Sequence, residues 1–404
     1  MIQRETYLQQ IRPFIDSEPI KVITGIRRCG KSVIMEQIQN ELLANGILPE
    51  QIVFLNFEKM ENDRFTTAAS LHEELVRRAS LTDKKLYFFF DEIHEVEDWE
   101  KCINSCRLDF DCDIFITGSN AKMLSGEIST KLSGRYVTFT IYPFSFAEFM
   151  EALRENGMEL DRAKAFHMYL EIGGMPGAMA FLQNKEAVFR YLEDVYNSVL
   201  IKDIVKRYNI RNVDLLEKVL GFLMDNVGRQ VSANSISAYF KNEHRVVSTD
   251  TVLNFMHYAR EAFLCYNAKR YDICGKRLLN VNGKYYMADH GFREAILGRN
   301  HKNIEQVLEN VVYMELLHRG YKVTVGELGE KEIDFICENA DGKLYVQVCY
   351  LLASEKTAER EFGAYRKVPD NYPKYVVSMD EFDMSRDGIK HCNIKDFLLM
   401  EKWG

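Results

Sequence analysis

Residues 25–32 read GIRRCGKS, in which two glycines precede an adjacent lysine and serine. This spacing is typical of loops that wrap the phosphates of a nucleoside triphosphate. Gly25 and Gly30 allow the backbone to curl, so that its N–H groups face phosphate oxygens. Lys31 is expected to contact the β- and γ-phosphates, and Ser32 to ligate Mg²⁺. The loop therefore predicts a nucleotide site that uses magnesium.

Further residues of this loop and its flank are predicted to line the nucleotide. Arg27 and Arg28 occupy variable positions of the loop. Either side chain could contact phosphate or a partner, and the alternative is that both are simply exposed to solvent. The additional candidates are Ile26, Arg27, Arg28, Cys29 and Val33.

A second chemical signal is the acidic pair Asp91 and Glu92, which follows the apolar run KLYFFF at residues 85–90. A run without polar alternation predicts a strand covered on both faces, as in a parallel sheet. Ligands of such sheets bind at the carboxyl ends of the strands. Asp91 is therefore expected to hold Mg²⁺, usually through water, and Glu92 to polarise the attacking water. Lys31 and Glu92 are the predicted catalytic residues at this edge.

Polar residues also follow the next apolar run, DIFIT at residues 113–117. Ser119 and Asn120 are predicted to sense the γ-phosphate or to help orient the water. The alternative is that they cap the helix that would begin at the following AKML.

The remaining elements of this region must place these side chains together. Short β-rich runs occupy residues 20–24 and 52–57, and an apolar stretch at helical spacing follows the phosphate loop and ends at Gly46. Strand, glycine loop and helix in this order are the context in which the phosphate-loop motif is credible. The alternation predicts an α/β domain with a parallel sheet.

Size and composition limit the class of protein. The chain has 404 residues, which predicts two to four domains. A hydrophobic fraction of 47% excludes wholesale disorder. The net charge of −8 opposes a surface coated with nucleic-acid-binding charge. The nine cysteines are scattered and none forms C-x-x-C, so we expect reduced thiols in the cytoplasm. No apolar stretch approaches ~18 residues, so no membrane partner is expected.

Five motifs occur in the order GIRRCGKS, FFFDEIH, ITGSNA, KLSGRY and YPFSFAEF. Together they resemble the AAA+ ATPase domain of a large prokaryotic ATP-binding family in which an uncharacterised C-terminal module follows the ATPase. Further similarities are EIGGMPGAM at residues 171–179, VLIKDIVKRYNI at 199–210 and LENVVYMELLHRGYKV from 308 onwards. The resemblance covers nearly the whole chain and implies that the nucleotide is ATP. Members of the family resemble origin-recognition-like and archaeal-type ATPases.

The resemblance also implies a role for Arg135 and a division of the chain. An arginine presented to the γ-phosphate stabilises the charge that develops during transfer, and Arg135 would act in cis or on a neighbouring subunit. Pairing with a surface carboxylate is the alternative. The predicted domains are a P-loop AAA+ core at 1–142, a helical lid at 143–205, a winged-helix domain at 206–292 and an α/β nuclease-like domain at 300–404.

Residues 206–292 are predicted to form a winged helix, with three helices and then two β-like runs at 263–269 and 284–287. They hold thirteen basic and eight acidic residues, a net charge of +5 against −13 for the rest of the chain. A basic module in an acidic chain is typical of a DNA-binding face. Contact with a protein is the equal alternative. The residues expected to approach DNA bases are Ser248, Thr249, Thr251 and Asn254.

The C-terminal region resembles the PD-(D/E)xK nuclease core, a helix followed by strands that gather carboxylates and a lysine around Mg²⁺. The matching positions are Glu309, Asp334, Gln347 and Cys349. Cys349 stands where that motif has its lysine, and only two carboxylates remain, which weakens a two-metal scheme. The domain is therefore predicted to be inactive as a nuclease. An unrelated α/β module is the alternative.

Three functional hypotheses follow. The first is an ATP-hydrolysing AAA+ switch that couples nucleotide state to DNA, to a protein partner or to assembly with further copies of the chain. The second is an ATP-dependent DNA nuclease, which the cysteine at position 349 opposes. The third is a signalling or defence ATPase whose later domains bind proteins.

Overall fold

The computed structural model describes residues 2–121, 132, 134–298, 303–329 and 331–403. These residues form two compact units. The first contains Met1–Ile141 and the short segment Glu261–Phe263. The second contains Tyr142–Arg260 and Leu264–Gly404.

A five-stranded, wholly parallel sheet with the order β2-β3-β4-β1-β5 forms the centre of the first unit. Its strands are β1 (Ile20–Thr24), β2 (Ile52–Asn56), β3 (Leu86–Asp91), β4 (Cys112–Gly118) and β5 (Tyr136–Thr140). β1 and β3 are buried along their whole length, as expected for strands covered on both faces. The predicted parallel α/β fold is confirmed, with strand ends shifted by one residue at most.

The register brings the chemically important strand ends to one edge of this sheet. Thr24, the last residue before the phosphate loop, pairs with Gly118 of β4. Asp91 ends β3 opposite Asn56 of β2. The helices of this unit are α1 (Glu5–Ile11), α2 (Lys31–Ala44), α3 (Ala68–Ala79) and α4 (Trp99–Asp109).

Ten α-helices are described in the second unit, except that the last residue of one of them, Glu261, is assigned to the first. Ser145 caps the first of them, and Glu148 completes the predicted capping box by accepting a hydrogen bond from the Ser145 backbone N–H. The helices are α5 (Phe146–Glu155), α6 (Arg162–Ile172), α7 (Lys185–Ser198), α8 (Val213–Asp225), α9 (Ala233–Asn242), α10 (Thr249–Glu261), α11 (His290–Leu297), α12 (Ile304–His318), α13 (Glu355–Gly363) and α14 (Ile394–Leu399).

Short helical turns are also present among the described residues. A π-helix covers Val199–Lys206 directly after α7. The 3₁₀ turns are Arg12–Phe14, Pro49–Gln51, Met60–Asn62, Ile93–Glu95, Pro176–Phe181 and Ala364–Lys367. Among the described residues, no helix combines the length and apolarity that crossing a bilayer requires.

A seven-stranded mixed sheet with the order β12-β11-β10-β9-β8-β6-β7 runs through the second unit. Its strands are β6 (Cys265–Asp272), β7 (Arg277–Met287), β8 (Lys322–Leu328), β9 (Lys331–Asn339), β10 (Gly342–Val348), β11 (Lys374–Ser378) and β12 (Lys390–Asn393). The two runs predicted as a wing do pair with each other in antiparallel fashion. However, β6 also pairs in parallel with β8, so the hairpin extends the sheet of the C-terminal region.

Candidate nucleotide-binding site

The two loop glycines adopt conformations that other residues rarely reach. Gly25 has φ +141°, and a Cβ there would lie 2.1 Å from the carbonyl oxygen of Ile141. Gly30 has φ +106° and directly precedes α2. The loop therefore takes the curled backbone that a phosphate cradle needs, and it leads into a helix N-terminus whose dipole favours anions.

Lys31 points back into this loop. Its Nζ donates to the carbonyl oxygens of Gly25 and Ile26, at 3.2 and 3.4 Å. It also lies 3.6 Å from Oε1 of Glu92. Only 5% of Lys31 is exposed, so the ammonium is held within the loop and beside the second acidic residue.

Ser32 and Asp91 meet directly. The Ser32 hydroxyl donates to Oδ2 of Asp91 at 2.8 Å, although the two residues are 59 positions apart. Thr117 donates to Oδ1 of Asp91 at 2.6 Å, and the Asn56 amide donates to Oδ2 at 2.7 Å. Burial raises the pKa of Asp91, and the hydrogen bonds from Thr117 and Ser32 oppose that shift. The two residues predicted to ligate Mg²⁺ therefore lie in direct contact.

Glu92 sits on a strained turn at the end of β3, with φ +55°. Its backbone N–H donates to the Thr117 hydroxyl at 2.9 Å, which fixes the turn. Burial by itself raises the pKa of Glu92, but the charges of Lys31 and His94 outweigh burial and the net pKa is lowered. The lowered pKa favours the ionised carboxylate, the form that can orient a water molecule.

Ser119 and Asn120 are fully buried just beyond β4, between the strands that carry the two main motifs. The backbone N–H of Ser119 hydrogen-bonds to the Glu92 carboxylate and helps to lower its pKa. The next residue, Ala121, donates its N–H to the carbonyl oxygen of Glu261 at 2.8 Å, within the first unit. The predicted sensor positions thus lie beside the predicted base.

The other loop candidates are placed differently from one another. Arg27 forms an ion pair with Glu58 at 3.1 Å, with 14% of its side chain exposed. Arg28 is exposed and has φ +65°. Ile26 and Cys29 are buried, and burial raises the pKa of the Cys29 thiol. Val33 is partly buried in the first turn of α2.

Arg135 is not brought to this site. It directly precedes β5, and its carbonyl oxygen accepts the N–H of Ile20 at the start of β1. The phosphate loop begins beyond Thr24, four residues further along β1, or about 13 Å at ~3.3 Å per residue. The side chain of Arg135 is exposed at the edge of the sheet where β1 and β5 begin, opposite the edge that carries the phosphate loop. Action in cis, one of the predicted alternatives, therefore disagrees with the strand register.

Four contributors to the site were missed by the sequence patterns. Arg4, which directly precedes α1, donates from Nη1 to the carbonyl oxygen of Cys29 at 2.9 Å. This hydrogen bond stabilises the phosphate loop. Asn56 and Thr117 hold Asp91, and His94 Nδ1 lies 3.3 Å from Oε2 of Glu92. Asn56 and Thr117 could have been predicted as site residues from their positions at strand ends, because the carboxyl ends of neighbouring parallel strands meet at one edge of the sheet.

The residues present fit a magnesium nucleotide. A curled glycine loop, a helix N-terminus, a buried ammonium and a hydroxyl–carboxylate pair converge at one sheet edge. Hydroxyl and carboxylate oxygens are the hard donors that Mg²⁺ prefers. Backbone N–H groups and Lys31 supply the positive potential that phosphates require.

Comparisons with known proteins identify relatives of this chain and of its first unit. A family model described as an AAA domain matches residues 17–150, and one described as a domain of unknown function matches residues 163–303. An uncharacterised protein of Haemophilus influenzae is 40% identical over 401 residues, which cover 99% of each chain. An uncharacterised protein of Methanocaldococcus jannaschii is 28% identical, over 93% of this chain and 85% of that protein. A Walker-type ATPase of Pyrococcus abyssi matches with a TM-score of 0.53 at 14% identity, over 73% of this chain and 95% of that chain.

The sheet order and the curled phosphate loop give the first unit the fold of AAA-type P-loop ATPases. The chain as a whole belongs to the same family as the Haemophilus influenzae protein, because the two align over almost their entire lengths. The recognition made from the five motifs is thereby confirmed.

Proposed function

We propose that this protein binds ATP with Mg²⁺ at residues 25–32, hydrolyses it, and uses the cycle as a molecular switch. The observation that carries the proposal is the 2.8 Å hydrogen bond between Ser32 and Asp91. It joins the end of the phosphate loop to the end of β3, and it sets Lys31 beside Glu92 at the same edge. Sheet-edge placement of this kind is how P-loop enzymes hold a nucleotide.

Each residue has a defined part in the proposed reaction. Backbone N–H groups of the loop and the Lys31 ammonium bind the phosphates and neutralise charge. Ser32 and Asp91 would hold Mg²⁺, which supplies further charge neutralisation on phosphate oxygens. Glu92 orients the attacking water and accepts its proton, and His94 and the N–H of Ser119 hold that carboxylate in place. Asn120 and Ser119 are proposed to report the γ-phosphate.

The basic surface of residues 206–292 is smaller than its composition suggests. Lys284 is buried, and Arg270 is held by Glu327 at 2.7 Å. Arg245 is exposed but pairs with Asp214 at 2.8 Å. Exposed basic side chains nevertheless remain, and they are the basis for proposing a nucleic-acid contact. They include Lys241, Arg260, Lys269 and Lys276, whereas the exposed Arg277 pairs with Asp272 at 3.6 Å.

A protein partner is the second candidate for this segment. Val246, between α9 and α10, is 97% exposed, and Leu253 on α10 is 51% exposed. Tyr239 on α9 is 44% exposed. These three exposed apolar side chains lie on α9, on α10 and in the turn between them. Exposed apolar side chains are more typical of a protein-binding surface than of a contact with DNA phosphates, so they favour a protein partner.

Charge reversal distinguishes the two candidate partners. If DNA binds, the Lys269→Glu and Lys276→Glu double variant should bind duplex DNA at least tenfold more weakly, with its salt slope reduced by about 2. Fluorescence anisotropy across a salt series measures both quantities. The matched control reverses two exposed lysines elsewhere, Lys356→Glu and Lys402→Glu, and should leave binding nearly unchanged. Equal losses in both variants would contradict a localised DNA face, and a wild type without measurable DNA binding would favour a protein partner.

Arg135 is proposed to act on the site of a neighbouring copy, because its own site is out of reach. Turnover per subunit should then rise with protein concentration, and Arg135→Ala should remove that rise with a loss of about 10³-fold in the assembled state. Arg64→Ala, another exposed arginine of the first unit, is the control. Concentration-independent turnover that is identical in wild type and Arg135→Ala would remove Arg135 from the mechanism.

The whole proposal is tested by one ATPase assay, run with and without DNA, together with a mass measurement in both nucleotide states. DNA-stimulated turnover with ATP-dependent assembly is the expected result. Turnover without any response to DNA would move the proposal to a protein partner. A protein without ATP turnover would overturn it.

A further inference from the structure

A lysine lies at the centre of the carboxylates that resemble a nuclease site. Lys284 on β7 places its Nζ 2.6 Å from Oε1 of Glu332, 2.9 Å from Oε1 of Glu309 and 3.3 Å from Oδ1 of Asp334. Glu332 and Asp334 lie on β9, and Glu309 lies on α12. One ammonium therefore joins three elements of the second unit.

The carboxylate oxygens of this cluster are already engaged by the protein. Besides Lys284, Oε1 of Glu309 accepts from the Tyr286 hydroxyl at 2.6 Å. The other oxygen of Asp334 accepts the backbone N–H of Val348 at 2.9 Å. The other oxygen of Glu332 accepts from the Gln230 amide at 2.8 Å.

The backbone closes over the remaining oxygen of Glu309. Gly228 has φ +72°, and a Cβ at this glycine would lie only 2.8 Å from Oε2 of Glu309. Lys284 itself is only 4% exposed. The cluster is thus a closed ion-pair network with protein donors, in which little room is left for a water-coordinated ion.

The other two positions that match the nuclease motif do not supply metal ligands either. Gln347 uses its Oε1 to accept the backbone N–H of Asp334 at 3.2 Å. Cys349 is buried in the apolar cluster that includes Leu352 and Phe362. Across the described residues, no group of three or more His, Cys, Asp or Glu side chains is arranged to hold a metal ion.

We infer that Lys284 is a built-in cation that replaces the divalent metal of a nuclease-like core. The residues do not fit the metal that the resemblance implies, because the lysine ammonium supplies the charge that a metal would supply. The network fastens β7, within the predicted winged-helix segment, to α12 and β9 of the C-terminal region. The nuclease-like core therefore connects these three elements without a metal ion.

Removing the lysine charge tests this role. Lys284→Met keeps the apolar stem but leaves the buried carboxylates without their cation, so Tm should fall by about 5–10 °C. Adding Asp334→Asn to that variant should restore part of the loss, because one unpaired buried charge is removed. Lys343→Met is the matched control, since Lys343 lies in the same sheet and pairs with Glu338 at 3.4 Å near the surface. Additive effects of the two substitutions would overturn the inference.

A direct metal measurement keeps the inference falsifiable even where Lys284→Met does not fold. The full chain carrying Ser32→Ala and Asp91→Asn, which disable the proposed ATP-site metal ligands, should bind no Mn²⁺ in a titration followed by electron paramagnetic resonance. The wild type should also cleave neither single-stranded nor duplex DNA with Mg²⁺ or Mn²⁺. Bound Mn²⁺ or DNA cleavage that disappears on Asp334→Ala would overturn the inference. Neither outcome depends on whether the chain hydrolyses ATP.

Discussion

Replacing Lys31 with alanine is expected to weaken ATP binding by about a hundredfold or more and to abolish measurable turnover. The side chain is almost fully buried in the phosphate loop, and its ammonium is directed at the loop carbonyls rather than at solvent. Alanine removes the lysine charge that lies beside Glu92 at this edge of the sheet. The loop backbone keeps its glycine conformations, so the loss should appear in nucleotide binding rather than in folding.

Equilibrium binding of a fluorescent ATP analogue and release of inorganic phosphate measure the two effects of Lys31→Ala. Lys59→Ala is the control, because Lys59 belongs to the same unit and 59% of its side chain is exposed. The control should match the wild type in affinity and turnover. Near-wild-type ATP affinity in Lys31→Ala would mean that residues 25–32 do not bind the phosphates.

Glu92→Gln is expected to separate ATP binding from hydrolysis. Glutamine keeps the shape of the side chain but cannot accept the proton of the attacking water, so turnover should fall by about 10²- to 10⁴-fold. Affinity for ATP should remain within a few-fold of the wild type, because the contacts of Ser32 and Asp91 are unchanged. Loss of the negative charge beside Lys31 should favour the bound phosphates slightly.

Single-turnover kinetics and retention of ATP after gel filtration measure this separation. The expected product is a long-lived ATP complex, with an assembly state that persists where the wild type cycles. Glu97→Gln, an exposed glutamate five residues further along the chain, is the matched control and should hydrolyse ATP normally. Unchanged turnover in Glu92→Gln would assign the base to another residue.

The sequence located the local parts of this site because each depends on a contiguous pattern. The glycine spacing of residues 25–32 and the position of Asp91 after an apolar run require only neighbouring residues to be recognised. The strands of the first unit could be predicted for the same reason, since β1 and β3 are short apolar runs buried on both faces.

The missed parts depend on contacts between distant residues. Asn56 and Thr117 reach Asp91 only because β2 and β4 flank β3 in parallel register. Arg135 resembled a phosphate-facing arginine in sequence, but the pairing of β5 with β1 puts it at the opposite edge. Neither fact is visible without the strand order.

The second unit shows the same limit on a larger scale. Lys284 was counted as a basic residue of a DNA-binding segment, whereas the structure buries it among three carboxylates. That placement follows from the parallel pairing of β6 with β8, which joins the predicted wing to the C-terminal sheet. Local charge counts cannot show which side chains such a pairing removes from the surface.

The central claim is that residues 25–32 together with Asp91 form a working ATP site. Isothermal titration of the wild type with a non-hydrolysable ATP analogue, in the presence of Mg²⁺, tests it most directly. We predict saturable binding of one nucleotide per chain that weakens when Mg²⁺ is withheld and is about a hundredfold or more weaker in Lys31→Ala. A wild-type protein with no measurable affinity for the nucleotide would contradict the claim.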